Sequence, residues 1–198
     1  MKKCQRKMVY MTFITLLILH ITPCTWANSG SAGKNVFSET KLASLPKNLI
    51  QILQLGQDFG LAYVNQDNKQ CIFFNGAEGP GFDGISLESI VFNTESKHLL
   101  YVAENAGKLL VVNNGKAGKE YSGIGEGTIV MSPDSKRIAY AAKENNNWMA
   151  VIDEKAGPEY DVIGGAPVFS PDSKHVAYAA QRSGKWFAVV DGKAGSLY

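Results

Sequence analysis

Between residues 49 and 198, apolar and polar residues alternate in short runs instead of recurring every third or fourth position. Segments such as RIAYAA (137–142) and HVAYAA (175–180) send alternate side chains to opposite faces of an extended strand. In the first of these, Ile138, Tyr140 and Ala142 share one face, and Ala139 and Ala141 the other. The runs are rich in Val, Ile, Tyr, Trp and Phe, which suit a pleated, half-buried surface. No stripe of helical period follows residue 28, apart from a turn or two near 45–55. The chain is expected to be all-β.

The strands come in copies. VFSPDSKHVAYAA (168–180) is preceded by IVMSPDSKRIAYAA (129–142) and IVFNTESKHLLYVA (90–103). Each copy is followed by a second block, KLLVVNNGKAGKEY, NWMAVIDEKAGPEY or KWFAVVDGKAGSLY. Tyr101, Tyr140 and Tyr178 are 39 and 38 residues apart, as are Lys116, Lys155 and Lys193. A period near 40 is that of a propeller blade. Pro133 and Pro171 preset the φ of tight turns, and Asp134 and Asp172 follow them to bond nearby backbone. A divergent first copy carries Tyr63, 38 residues before Tyr101.

Four-stranded blades are therefore expected over about 49–88, 89–128, 129–167 and 168–198. In the third copy the strands are expected near 128–131, 137–142, 148–152 and 159–163. The fourth blade is expected to stop inside its last strand. About three and a half blades fall short of a closed ring of roughly 4–8, so a fragment of a longer propeller, a combination of two chains and an open arc all stay open.

The SPDS turn followed by an AYAA strand, in tandem at fixed spacing, resembles the TolB-type, WD-repeat-like propeller repeat. The likeness covers about residues 50–198 and is strongest over 129–198. The Trp-Asp dipeptide of WD repeats proper is absent. The resemblance implies a bladed β-propeller, often periplasmic or at the cell surface, and often a docking module.

The chain start carries different information. Lys2, Lys3, Arg6 and Lys7 precede an apolar run from Met8 to Thr22, and Thr25-Trp26-Ala27 offers a small residue for cleavage. Residues 1–27 are expected to be a signal peptide, which sends the chain to the periplasm or outside the cell. A Ser-, Gly- and Asn-rich linker follows over 28–48. Loss of the signal leaves 16 basic against 18 acidic residues, so the basic balance belongs to the leader, and nothing argues for nucleic acid as a partner. Cys71 is then the one cysteine, read as a small buried residue.

Chemistry is sparse. His98 and His175 occupy the position of Arg137 at the exit of the repeated turn, which reads as a solvated strand start. Ser132 and Ser170 stand two residues before Asp134 and Asp172 with no G-x-S-x-G around them, so no catalytic residue is expected. The Gly123–Gly127 loop lacks the Lys-Ser/Thr of a phosphate loop. Asn75, Asn114, Asp153 and Asp191 recur once per blade, but Asx-Gly is also the ordinary hairpin turn, and neither a metal nor a cofactor is expected.

The repeated K-A-G tripeptide is the candidate surface, with Lys116, Lys155 and Lys193 on the loop and Tyr121, Tyr160 and Tyr198 beyond it. The Tyr positions have a structural alternative as strand filler. The expected function is a non-enzymatic, exported scaffold that binds a protein through its loop face, with self-association through unpaired blades as a further partner mode. The alternative is the gating propeller of a larger serine hydrolase.

Overall fold

The computed structural model describes residues 48–195. The expected signal over 1–27, the linker up to residue 47, and Tyr198 lie outside the described residues. The described segment belongs to one compact unit, Pro46–Tyr198. It is all-β, a propeller-like array of four antiparallel sheets.

The first sheet is a meander of β1 (Leu49–Leu55), β2 (Asp58–Val64), β3 (Gln70–Phe74) and β4 (Ala77–Glu78). Leu49–Leu55 is thus a strand where the sequence suggested a helical turn. The second sheet repeats the order with β5 (Gly84–Asn93), β6 (His98–Asn105), β7 (Lys108–Asn113) and β8 (Lys116–Ala117). In the third, the first strand is split into β9 (Gly123–Ile124) and β10 (Val130–Met131), which both pair with β11 (Ile138–Glu144). β12 (Asn147–Ile152) and β13 (Lys155–Tyr160) complete it. The fourth sheet is split in the same way, with β14 (Val162–Ile163) and β15 (Val168–Phe169) on β16 (Val176–Arg182), then β17 (Lys185–Val190) and β18 (Lys193–Ala194).

Two expectations shift. The second, third and fourth sheets begin at Gly84, Gly123 and Val162, five or six residues before the expected boundaries, because each first strand continues across an irregular stretch. The strand expected over 159–163 is divided: Tyr160 pairs with Trp148 in the third sheet, while Val162 and Ile163 cross to the fourth.

A hydroxyl repairs the irregular stretch where there is one. Thr128 Oγ1 accepts from the Ala141 N–H at 3.1 Å and donates to the Gly125 carbonyl at 2.7 Å. Ser89 does the same in the second sheet, accepting from Val102 N–H and donating to Ser86 O. These bonds satisfy buried backbone groups that the interrupted ladder leaves open. The fourth sheet's shorter connection, Gly164-Gly165-Ala166-Pro167, has no hydroxyl to offer.

Strand alternation then builds the core. One cluster joins the first and second sheets through Leu53, Ala62, Ile72, Tyr101 and Val112. The next joins the second and third through Leu100, Val111, Tyr121, Tyr140 and Val151. The last joins the third and fourth through Ala141, Ala150, Tyr160, Tyr178 and Val189. The second, third and fourth sheets each turn the tyrosine of their second strand, Tyr101, Tyr140 or Tyr178, to the sheet before them. Among the described residues no cluster joins the first sheet to the fourth.

Candidate functional site

Antiparallel order puts the SPDS turns and the Asx turns before each K-A-G tripeptide at the same end of their sheets. The SPDS turns are tightly bonded. Ser132 Oγ donates to Asp134 Oδ1 at 2.6 Å and accepts from the Arg137 N–H at 3.0 Å, while Asp134 Oδ1 also accepts from the Lys136 N–H. Ser170, Asp172, Lys174 and His175 repeat every one of these bonds. Ser135 and Ser173 take φ values of +57° and +62°, the left-handed step that the turn requires. Pro133, Asp134, Pro171 and Asp172 thus serve as turn formers. Both serine hydroxyls are committed to their turns, and the His175 ring lies at Asp191 instead.

The Asx residues close the neighbouring hairpin. Asn114, Asp153 and Asp191 each accept, through Oδ1, an N–H at the start of the second strand of their sheet, from Leu99, Ile138 and Val176, at 2.8–3.1 Å. The second carboxylate oxygen holds the basic residue at the turn exit. Arg137 Nε donates to Asp153 Oδ2 at 2.9 Å, and His175 Nδ1 lies 2.7 Å from Asp191 Oδ2. In the second sheet, His98 Nε2 lies 2.6 Å from Asn113 Oδ1. The recurring oxygens are therefore engaged with backbone and basic side chains.

Successive turns are also tied to one another. The Asp134 N–H donates to Ser173 Oγ at 3.1 Å, and the Arg137 guanidinium donates to the Lys174 carbonyl at 2.7 Å and lies over the Phe169 ring. Lys97 forms an ion pair with Asp58 across the first two sheets. The turns are thus bonded in pairs, the first sheet's with the second's and the third's with the fourth's.

The Ser132 hydroxyl and the Lys136 N–H hold the Asp134 carboxyl below the usual range, and Ser170 and Lys174 do the same for Asp172. His175 lowers Asp191. A carboxyl whose folded pKa is lowered contributes stability above its unfolded pKa and loses it as pH falls through the folded value. Stability is thus expected to drop as the solution is acidified below about pH 3.9, the ordinary Asp value. The urea midpoint measured between pH 5 and 2 checks this. The double variant Asp134→Asn, Asp172→Asn should flatten the acid limb, and an unchanged limb would exclude these groups as its source.

Lys116, Lys155 and Lys193 are exposed on this face, and among the described residues none enters an ion pair. Tyr121 and Tyr160, which accompanied them, do not join the surface. Tyr121 and Tyr160 are 0% and 4% exposed, and their rings pack edge to face on Tyr140 and Tyr178 of the following sheet at 6.3 and 6.2 Å. This is the filler role, imposed by stacked sheets that bury one large ring per layer. The glycine at this register belongs to the same contact in two interfaces. A Cβ on Gly79, in the first sheet's Ala77-Glu78-Gly79, would stand 3.4 Å from the Tyr101 hydroxyl, and one on Gly157 3.7 Å from that of Tyr178. The register thus offers a glycine that the next sheet approaches closely, with a lysine facing water in the second, third and fourth sheets.

Glu154 gave no signal beyond its departure from pattern. It has φ +63° where the other three turns carry Gly76, Gly115 and Gly192 at +76° to +77°. Its carboxylate reaches towards Gly118, coming within 2.8 Å of where a Cβ would stand. Partial burial raises its pKa, and Lys116 opposes that shift. Burial and the Glu154 charge push the Tyr140 hydroxyl far above its usual range, and neither it nor the Tyr121 hydroxyl has a hydrogen-bond partner.

No family model matches the sequence. No curated protein matches it significantly either. Among solved structures, the chain is similar to BBS1N in the crystal structure of BBS1N in complex with ARL6DN, soaked with mercury, at 11% identity and a TM-score of 0.30. The match covers 74% of this chain and 51% of that one, so the chain spans about half the length of its structural neighbour.

Proposed function

We propose that this chain is a non-enzymatic, exported scaffold that binds an acidic segment of a protein partner through the turn face. One observation carries the reading: Lys116, Lys155 and Lys193 recur at one register on three successive sheets, exposed and without ion pairs among the described residues. The turns beside them are fixed by hydrogen bonds within each sheet, so the charges are displayed at little cost in ordering on binding. Export rests on the basic and apolar leader over 1–27. The non-enzymatic reading rests on serine hydroxyls and Asx oxygens that are consumed by turn geometry.

A fluorescent polyglutamate peptide is a suitable probe, read by anisotropy across a salt series. Exposed pairs are each worth roughly 0.3–1 kcal/mol, so the triple variant Lys116→Glu, Lys155→Glu, Lys193→Glu should bind about fivefold to a hundredfold more weakly. Affinity should also fall as salt is raised. Equal binding by the triple variant would overturn the assignment of this face.

A further inference from the structure

The two ends of the array are chemically unlike each other and complementary in kind. The last sheet turns Val168, Ala177, Ala179, Trp186, Ala188 and Val190 to one face, as the pairings Val168↔Ala177↔Val190 and Ala179↔Ala188 require. Val168, Trp186 and Val190 are 65%, 40% and 48% exposed. Trp186 lies against Gly164, and with the alanines it walls a shallow apolar groove of about 430 Å³.

The repeat identifies what covers such a face. The same register in the third sheet carries Val130, Ala139, Ala141, Trp148, Ala150 and Ile152. There Ala139, Ala141 and Ala150 are 0–2% exposed, buried under the Tyr-bearing face of the fourth sheet. The difference between a buried alanine and an exposed one at equivalent positions is the presence of a following sheet.

The first sheet supplies that complementary face. Ile52, Leu61 and Phe73 share it by direct pairing, as do Tyr63 and Cys71, and it points away from the second sheet. Leu61 and Cys71 on this face are buried in the single chain, at 6% and 0%, while Ile52 is 46% exposed and Phe59, beside it, 52%. Tyr63 stands where Tyr101, Tyr140 and Tyr178 stand in the sheets that do cover a predecessor. In two of those interfaces the tyrosine hydroxyl abuts the glycine at the K-A-G register of the sheet before it, Tyr101 at Gly79 and Tyr178 at Gly157, whereas Gly118 meets the Glu154 carboxylate. At Gly195, the corresponding glycine of the last sheet, a Cβ would meet only the Ala188 carbonyl. Glu78, on the outermost strand, lies on this face opposite Phe73 and is exposed.

We propose that the occupant of both ends is a second copy of this chain. The first sheet of each copy stacks on the last sheet of the other, with Tyr63 seated at Gly195 of its neighbour, and the two sets of four sheets close an eight-bladed ring. The contact is head to tail, and two copies related by a two-fold axis satisfy both ends at once. Eight blades lie within the range of roughly 4–8 in which propellers close. The outer faces of the first and last described sheets carry exposed Ile52, Phe59, Val168, Trp186 and Val190, unlike the polar outer face of a capping repeat. The proposal concerns the sheet faces and stands apart from the turn-face reading.

The test is sedimentation equilibrium on the protein in the form its host produces. Wild type should be a discrete dimer, with no larger species on raising the concentration to about 100 µM. Ala179→Arg on the last sheet and Ile52→Asp on the first should each weaken the dimer by at least roughly a hundredfold, since each buries an unpaired charge. Mixing the two variants leaves one intact interface and should recover a weaker heterodimer. Val190→Lys and Phe59→Asp are replacements at exposed positions should either variant lose its circular-dichroism spectrum. A wild-type monomer at about 100 µM overturns the proposal, as does a dimer that survives Ile52→Asp, which would mean last sheet on last sheet. A ladder of oligomers growing with concentration also overturns it, because the contact then fails to close.

Discussion

Tyr140→Ala is expected to cost about 3–5 kcal/mol, the range for removing a large buried ring. The side chain is fully buried between the second and third sheets and meets Tyr121 edge to face. Its loss would open a void lined by Leu100, Val111 and Met149, residues held by strand pairing and unable to collapse inwards. Tyr140→Phe is the informative control. The hydroxyl is buried without a hydrogen-bond partner, so its removal should change stability by less than about 1 kcal/mol. The urea midpoint at constant slope measures both. A Phe variant as damaged as the Ala variant would mean that the hydroxyl, and not the ring, holds the interface.

Ala141→Leu is expected to cost about 1–3 kcal/mol, while Ala179→Leu changes the stability of the single chain by less than about 0.5 kcal/mol. The two positions are equivalent in the repeat. Ala141 is 2% exposed and has the fourth sheet against it, so a larger side chain must force the sheets apart. Ala179 is exposed, and a leucine there projects into open space. Unfolding at low protein concentration separates this effect from any effect on association. Equal losses at both sites would show that strand propensity, and not the neighbouring sheet, sets the preference for alanine.

Much of the array was legible because its rules are local. The period came from Tyr101, Tyr140 and Tyr178, and alternation placed Ile138, Tyr140 and Ala142 on one face and Ala139 and Ala141 on the other, as their clusters bear out. The SPDS turns were legible too, since Pro and Asp act through backbone a few residues away. The split first strands were not. Whether Ile124 and Val130 belong to one strand depends on a Thr128 hydroxyl meeting Ala141 N–H across the sheet, and no alternation pattern encodes that. The division at Asp161, where the chain leaves one sheet for the next, was hidden for the same reason.

The candidate site was half legible. Sequence marked the K-A-G repeat but could not separate its parts, because regular spacing is equally the mark of a surface and of a layer. Burial makes the separation, sending Lys116 and Lys155 outwards and Tyr121 and Tyr160 inwards. Glu154 was readable only as an exception to glycine, and its reach to Gly118 depends on how two sheets are stacked.

Each apolar cluster draws on two neighbouring sheets and no others. The length of the array is therefore a free variable of the gene. A duplicated or deleted unit of about 39 residues creates no contact type that the chain does not already contain, so blade number can drift by copying errors without any new interface having to be invented.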